Sequence, residues 1–350
     1  MEHALYRIID ANFNRSREAI RVIEDFCRFY LNCASLAARC KQFRHELCAL
    51  LGELDSGKIL AGRDVGRDVG IAVTVTSQLG RVELKDTFTA ASRRLTEALR
   101  CLSEAIALSN TVLAAKIENL RYTAYTLEKD IAIFSSTIEK FRAVRLYIVI
   151  TSNLPADIFF LTASCIAGGA DCIQLRVKQM EDDKFFALAA EFARACKADN
   201  VLSIINDRPD IAIASGADGV HLGQNDLPVE QAYKLQLSPL IIGKSTHSIE
   251  QLKAASAEPI TYASLGPVFA TPTKPSAPPV GLGYVRDGVS LLADTGIAHV
   301  AIGGITLENI DQVLKAGART IAISSAVTKC HDPKGACGLF KEKILSFREQ

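Results

Sequence analysis

Between Arg15 and about Ser135, apolar residues recur at three- and four-residue steps, which predicts amphipathic helices. Ile20, Ile23, Cys27 and Tyr30 make one stripe, Leu95, Leu99, Leu102 and Ile106 a second, and Leu113, Ile117, Leu120, Ala124 and Leu127 a third. The intervening Gly62-Arg63-Asp64-Val65-Gly66-Arg67-Asp68-Val69-Gly70 is too rich in glycine for a helix. The segment Arg15-x-x-Glu18-Ala19-Ile20-Arg21-x-Ile23 returns as Arg94-x-x-Glu97-Ala98-Leu99-Arg100-x-Leu102. Its charges read either as two solvated helix faces or as paired helices turning charge toward a shared cleft.

After Arg145 the pattern changes to short β-rich runs spaced for β-α units. They are Leu146–Thr151, Cys172–Arg176, Leu202–Asn206, Gly219–Leu222, Leu240–Lys244, Tyr262–Val268, His299–Ile305 and Thr320–Ser324. Eight strands in so short a stretch predict a (β/α)8 TIM barrel of the α/β class, preceded by a mainly helical domain. Three similar joints, Gly168-Gly169-Ala170-Asp171, Ser215-Gly216-Ala217-Asp218 and Ala316-Gly317-Ala318-Arg319, read as helices ending on a left-handed glycine before a strand. The halves are expected to span residues 1–140 and 143–350, with the boundary near 136–144 and no flexible linker.

Composition narrows the function classes. Hydrophobic residues make up 49% and charged residues 23%, which excludes wholesale disorder. A net charge of +1 gives no global attraction to nucleic acid or an anionic membrane, so an anionic ligand needs a local site. No apolar run is long enough to span a bilayer, and the start of the chain lacks a signal-peptide layout. The 10 cysteines are scattered with no Cys-x-x-Cys pair, which predicts reduced structural thiols and a cytoplasmic protein.

Reactive groups in such barrels gather at the C-terminal ends of the strands. Along Gln174-Leu175-Arg176-Val177-Lys178, alternation directs Gln174, Arg176 and Lys178 to one side and Leu175 and Val177 to the other. Two cations and an amide suit a phosphate or pyrophosphate. Asp207, after Asn206, and Asp226 follow neighbouring strands, so their carboxylates can share Mg²⁺ with phosphate oxygens. Each is alternatively a helix cap. Gly243-Lys244-Ser245-Thr246-His247-Ser248 either caps a helix or offers hydroxyls to a ligand, and His221 and His247 are candidates for ring contacts. The loop Gly266 to Pro275, with Thr271, Pro272, Thr273 and Lys274 at its tip, reads as a lid. Gly303-Gly304 and Ser324-Ser325 complete the backbone phosphate cup of the last two strands. Two phosphate sites, one metal-assisted, suit a transferase that releases pyrophosphate.

The run Gln174-x-Arg176-x-Lys178, Asn206-Asp207, His221-x-Gly223-Gln224-x-Asp226, Gly243-x-Ser245-Thr246-His247-Ser248, Gly266-Pro267-Val268-Phe269-x-Thr271-x-Thr273-Lys274 and Gly303-Gly304-Ile305 resembles thiamine phosphate synthase over residues 143–345. The resemblance implies condensation of an aminopyrimidine methyl pyrophosphate with a thiazole ethyl phosphate, giving thiamine phosphate and pyrophosphate. It implies Mg²⁺ on Asp207 and Asp226. Gln174, Leu175, Arg176, Val177, Lys178, Asn206, Ser245 and Lys274 would bind the pyrimidine pyrophosphate. Thr271, Pro272, Thr273, Gly304, Ser324 and Ser325 would bind the thiazole phosphate. Arg176, Lys178 and Lys274 would be catalytic, steadying the departing charge in a dissociative reaction that needs no nucleophile. Val177 stands where the family often carries an acid.

Arg7-Ile8-Ile9-Asp10-Ala11-Asn12-x-Asn14-Arg15, Arg21-Val22-Ile23-Glu24-Asp25, Gly62-Arg63-Asp64, Asp68-Val69-Gly70, Glu97-Ala98-Leu99-Arg100 and Leu120-Arg121-Tyr122 resemble the helical extension found on some synthases of this family. That resemblance implies phosphorylation of the pyrimidine monophosphate. The chain has no Walker loop, and a helical dimerisation or scaffolding module is the alternative. For the barrel, the alternatives are a thiazole tautomerase-like enzyme and a non-catalytic binder of pyrimidine and thiazole phosphates. The expected partners are these small phosphorylated substrates, with neither nucleic acid nor membrane, and homo-oligomerisation is left open.

Overall fold

The period-two runs become eight parallel strands closed into a barrel in chain order, with the last strand pairing back to the first. They are β1 (Leu146–Thr151), β2 (Cys172–Arg176), β3 (Leu202–Asn206), β4 (Gly219–Leu222), β5 (Ile241–Thr246), β6 (Tyr262–Leu265), β7 (Ala298–Ile302) and β8 (Ile321–Ile323). The computed structural model describes residues 2–64, 66, 68–69, 80–235, 239–271 and 278–347. β5 runs two residues beyond the expected end. β6 stops early because Gly266-Pro267 follows, and proline cannot donate to a ladder. The three recurring joints are as expected: Gly169, Gly216 and Gly317 have φ of 88°, 72° and 98°.

Alternation gives the barrel two cores. Ile148, Ile150, Ile173, Leu175, Val220 and Ile242 face outward and pack under the helices. Tyr147, Val149, Cys172, Ile204, Ile241, Tyr262, Val300 and Ala322 fill the interior together with Phe141 and Val144. One register row runs Asn206, His221, Gly243, Tyr262. Glycine in the middle of that row decides its packing. A Cβ at Gly243 would sit 2.1 Å from the Tyr262 ring, so only glycine lets the tyrosine lie across the strand.

The preceding unit is helical: α1 (Glu2–Asp25), α2 (Ala34–Leu51), α3 (Ser56–Gly62), α4 (Leu84–Ala107) and α5 (Thr111–Arg142), with a π-helical segment at Phe26–Tyr30. The repeated segment explains how α1 packs on α4. Ala19, Ile20 and Ile23 on one helix and Ala98, Leu99 and Leu102 on the other are all buried. Arg15, Glu18, Arg21, Arg94, Glu97 and Arg100 are exposed, so the repeat's charges lie on solvated faces. The chain divides into compact units of Met1–Ala132 and Ile133–Gln350, which assigns the last turns of α5 to the barrel. Among the described residues no helix is long and apolar enough to cross a membrane. The ten cysteines are free thiols, and burial raises the Cys172 and Cys196 thiols, the latter to about 12.

Candidate active site

A cavity of about 650 Å³ opens at the C-terminal ends of the strands. Ten residues expected from the sequence line it: Gln174, Arg176, Asn206, Asp207, Asp226, Ser245, Thr271, Gly304, Ser324 and Ser325. Strand parity explains the strand members, since Gln174 and Arg176 on β2 and Ser245 on β5 point inward.

Arg176 carries the clearest anion signal. Its Nη1 is buried and has no hydrogen-bond partner among the described residues. A buried guanidinium N–H beside a cavity is suited to an anionic oxygen, because leaving it unmatched is costly.

The two carboxylates are held in different ways. Asp207 has φ of 66° and its N–H donates to the His221 carbonyl at 2.8 Å, which fixes the turn after β3. Asp226 Oδ2 accepts from the Gly223 N–H at 2.6 Å. The buried Lys244 also serves this loop, its Nζ donating to the Gly223 carbonyl at 2.9 Å. Among the described residues no group of three or more His, Cys, Asp or Glu side chains could hold a metal. Two hard-oxygen carboxylates on one cavity still fit Mg²⁺, which takes few protein ligands and completes its shell with phosphate oxygens and water.

At the opposite rim the loop after β6 is fastened to the end of β7, with Val268 N–H donating to Ile302 O at 2.9 Å and Phe269 N–H to Gly303 O at 3.0 Å. Asn309 Nδ2 donates to Gly304 O at 2.9 Å, and Ser324 Oγ donates to Val149 O at 2.9 Å. These bonds hold the backbone of Gly304, Ser324 and Ser325 around one corner of the cavity.

Three of the assigned side chains do not line the cavity. Leu175 is fully buried in the layer between strands and helices, and Val177 packs against that layer, so neither side chain faces the cavity. Lys178 does not line the cavity and is exposed, because β2 ends at Arg176 and strand alternation no longer directs its side chain. Pro272, Thr273 and Lys274 lie outside the described residues.

Sequence reasoning also missed part of the site. It offered His221 only as a candidate for ring contacts, and this residue lines the cavity with Nδ1 3.0 Å from the Tyr262 hydroxyl and Nε2 2.9 Å from Ser245 Oγ. Tyr147 and Tyr262 stand behind it, at inward positions where their parity could have flagged two buried hydroxyls. His247 is turned to the Gly266 carbonyl through Nδ1.

Similarity to known proteins agrees with this geometry. Residues 146–327 match the family described as thiamine monophosphate synthase, and residues 7–130 match the ThiD2 family. A thiamine-phosphate synthase of Synechocystis sp. is 37% identical over 335 residues, covering 95% of this chain and 94% of its own. That of Gloeobacter violaceus is 36% identical over 343 residues and covers 98% of both chains. The solved thiamine phosphate pyrophosphorylase from Pyrococcus furiosus superposes with a TM-score of 0.53 at 31% identity, covering 58% of this chain and 96% of its own. With one family spanning the barrel and full-length relatives sharing over a third of their residues, the chain belongs to the thiamine-phosphate synthase family.

Proposed function

We propose that the barrel joins 4-amino-2-methyl-5-(diphosphooxymethyl)pyrimidine to 4-methyl-5-(2-phosphooxyethyl)thiazole, releasing pyrophosphate and forming thiamine phosphate. One observation carries this reading: the Arg176, Asn206, Asp207 and Asp226 group and the Gly304, Ser324 and Ser325 backbone open onto the same cavity. A pyrophosphate on the first and a phosphate on the second would hold the two rings face to face. A tautomerase would not need the first group, which disfavours that alternative.

The chain's own residues then have limited tasks. Arg176 binds the pyrophosphate and steadies the charge that grows on it as the methylene carbon–oxygen bond breaks. Asn206 and Ser245 orient the pyrimidine ester. The backbone around Gly304, Ser324 and Ser325 holds the thiazole phosphate, so that the ring nitrogen faces the carbon it will attack. Mg²⁺, held by Asp207 and Asp226, would supply Lewis-acid neutralisation of pyrophosphate charge when bound. Lys274 and Thr271 to Thr273 belong to the same reading as contacts from the lid. The purified chain, given both substrates and Mg²⁺, is expected to yield thiamine phosphate and pyrophosphate in equal amounts. Absence of product would overturn the reading.

For the helical unit, the match to the ThiD2 family supports phosphorylation of the pyrimidine monophosphate, the step that supplies the barrel's substrate. Its glycine-rich segment also contributes to a cavity. Arg63 closes onto Asp10 through two hydrogen bonds of 2.6 and 2.8 Å, beside a cavity of about 290 Å³ that Asn14, Arg17 and Ser56 also line. Formation of the pyrophosphate ester from the monophosphate, ATP and Mg²⁺ tests this second activity.

A further inference from the structure

The cavity of the helical unit lies between two helix faces. Asp10, Phe13, Asn14 and Arg17 recur at three- and four-residue steps along α1, so all four turn to one side. Ile59 and Leu60 on α3, with Arg63 just beyond it, face them, and Cys48 and Leu51 at the end of α2 close the third side.

The charges on this wall are unequally matched. The buried Asp10 carboxylate accepts from Arg63 Nη2 at 2.6 Å, from Arg63 Nε at 2.8 Å and from Asn14 Nδ2 at 3.1 Å. The bond from Arg63 above all holds the Asp10 carboxyl below its ordinary range, so the pair stays ionised and sums to zero charge. Arg17 has no such partner. Its guanidinium lies over the Phe13 ring, 5.2 Å from the centroid, and among the described residues it donates no hydrogen bond and meets no carboxylate. One positive charge on the wall is therefore open to an anion. Asn14 adds a second polar point. Its Nδ2 is committed to Asp10, to the backbone carbonyl at 3.0 Å as well as to the carboxylate, which leaves Oδ1 as an acceptor.

The remaining wall is apolar, with Phe13, Leu51 and Ile59 inside and Leu60 at the rim, 65% exposed. A volume of about 290 Å³ is at the small end of ligand cavities and suits one ring with one phosphate better than a nucleoside triphosphate. We propose that this cavity is the acceptor site of the helical unit: Arg17 binds the phosphate of an aminopyrimidine monophosphate, whose ring lies among Phe13, Leu51, Ile59 and Leu60 with its amino group on Asn14 Oδ1. Arg17 gives the phosphate a charge-assisted anchor, while the Asp10–Arg63 pair ties α1 to the end of α3 and keeps the wall in place. The proposal rests on the kinase reading for the identity of the ligand, but the match to a flat anion does not.

Cys48 reports on this site without any turnover, because it is a free thiol on the cavity wall. The full chain is alkylated with N-ethylmaleimide and the modified thiols are followed by mass spectrometry. The pyrimidine monophosphate, at about ten times its dissociation constant, is expected to slow alkylation of Cys48 about tenfold, while the exposed Cys101 on α4 reacts as before. Arg17→Met keeps the contact with Phe13 and removes the charge, and should raise the concentration needed for protection by about tenfold or more. An unchanged Cys48 rate, or protection by ATP and not by the monophosphate, would overturn the proposal. Protection of a folded Arg17→Met chain at the wild-type concentration would do the same. If that variant does not fold, protection of the wild type decides. Protection in a chain that forms no pyrophosphate ester contradicts the kinase reading and leaves the site standing, whereas ester formation without protection contradicts the site alone.

Discussion

The ring of Phe141 lies flat on that of Tyr262, with centroids 4.4 Å apart and planes 5° from parallel. Phe141 is in the last turn of α5, and the tyrosine it covers bonds to His221 in the cavity. The end of that helix is therefore part of the barrel's inner core. A fragment beginning at Ile133 should fold and make thiamine phosphate from the pyrimidine pyrophosphate, whereas one beginning at Arg145 should not fold stably. The Ile133 fragment should also fail with the monophosphate and ATP, where the full chain is expected to succeed. In the full chain, Phe141→Ala should cost about 3–5 kcal/mol of stability, measured by chemical denaturation.

Asp207→Asn and Asp226→Asn each remove one of the proposed metal carboxylates while keeping side-chain size. Each should lower coupling by a factor of about 10²–10³ with an unchanged circular dichroism spectrum. Near-normal turnover of either variant in EDTA would remove Mg²⁺ from the proposal.

Gly243→Ala should destabilise the barrel by about 1–3 kcal/mol or more, because the added methyl would overlap the Tyr262 ring. The displaced ring would also release His221, so activity should fall by more than the fraction unfolded. Activity per folded molecule equal to wild type would show that the Tyr262 ring is unimportant to the site.

Legibility in the sequence followed geometry that short-range pattern encodes. Strand period, the Gly169, Gly216 and Gly317 joints and inward parity were all readable, because each depends on a few neighbouring residues. They pointed to Gln174, Arg176 and Ser245, which line the cavity. Lys178 does not line the cavity, because alternation ends with the strand, a point two residues earlier that the sequence does not mark. The hydrogen-bonded row that runs from Gln174 through Tyr147, Tyr262 and His221 to Ser245 was invisible for a different reason. It joins β1, β2, β4, β5 and β6 across the barrel interior, and only closure of the sheet brings those hydroxyls together.

His299, at the start of β7, accepts the Arg319 backbone N–H at 2.9 Å on Nε2. Burial, with Arg319 and Arg145 nearby, lowers its pKa to about 4. The unfolded chain takes up that proton near pH 6.5, so the folded state loses stability as pH falls from about 6.5 to about 4. Above that window the contribution is complete, at about 3 kcal/mol. His299→Gln should flatten the dependence of the denaturation midpoint on pH between those limits. An unchanged slope would show that His299 is not the group responsible.

A crystal structure of the chain with thiamine phosphate, pyrophosphate and Mg²⁺ addresses the shared cavity most directly. The pyrophosphate is expected against Arg176 and Asn206 with the metal on Asp207 and Asp226, and the thiamine phosphate group on the backbone of Gly304, Ser324 and Ser325. Either phosphate group bound outside this cavity, or a metal that touches neither aspartate, would contradict the site.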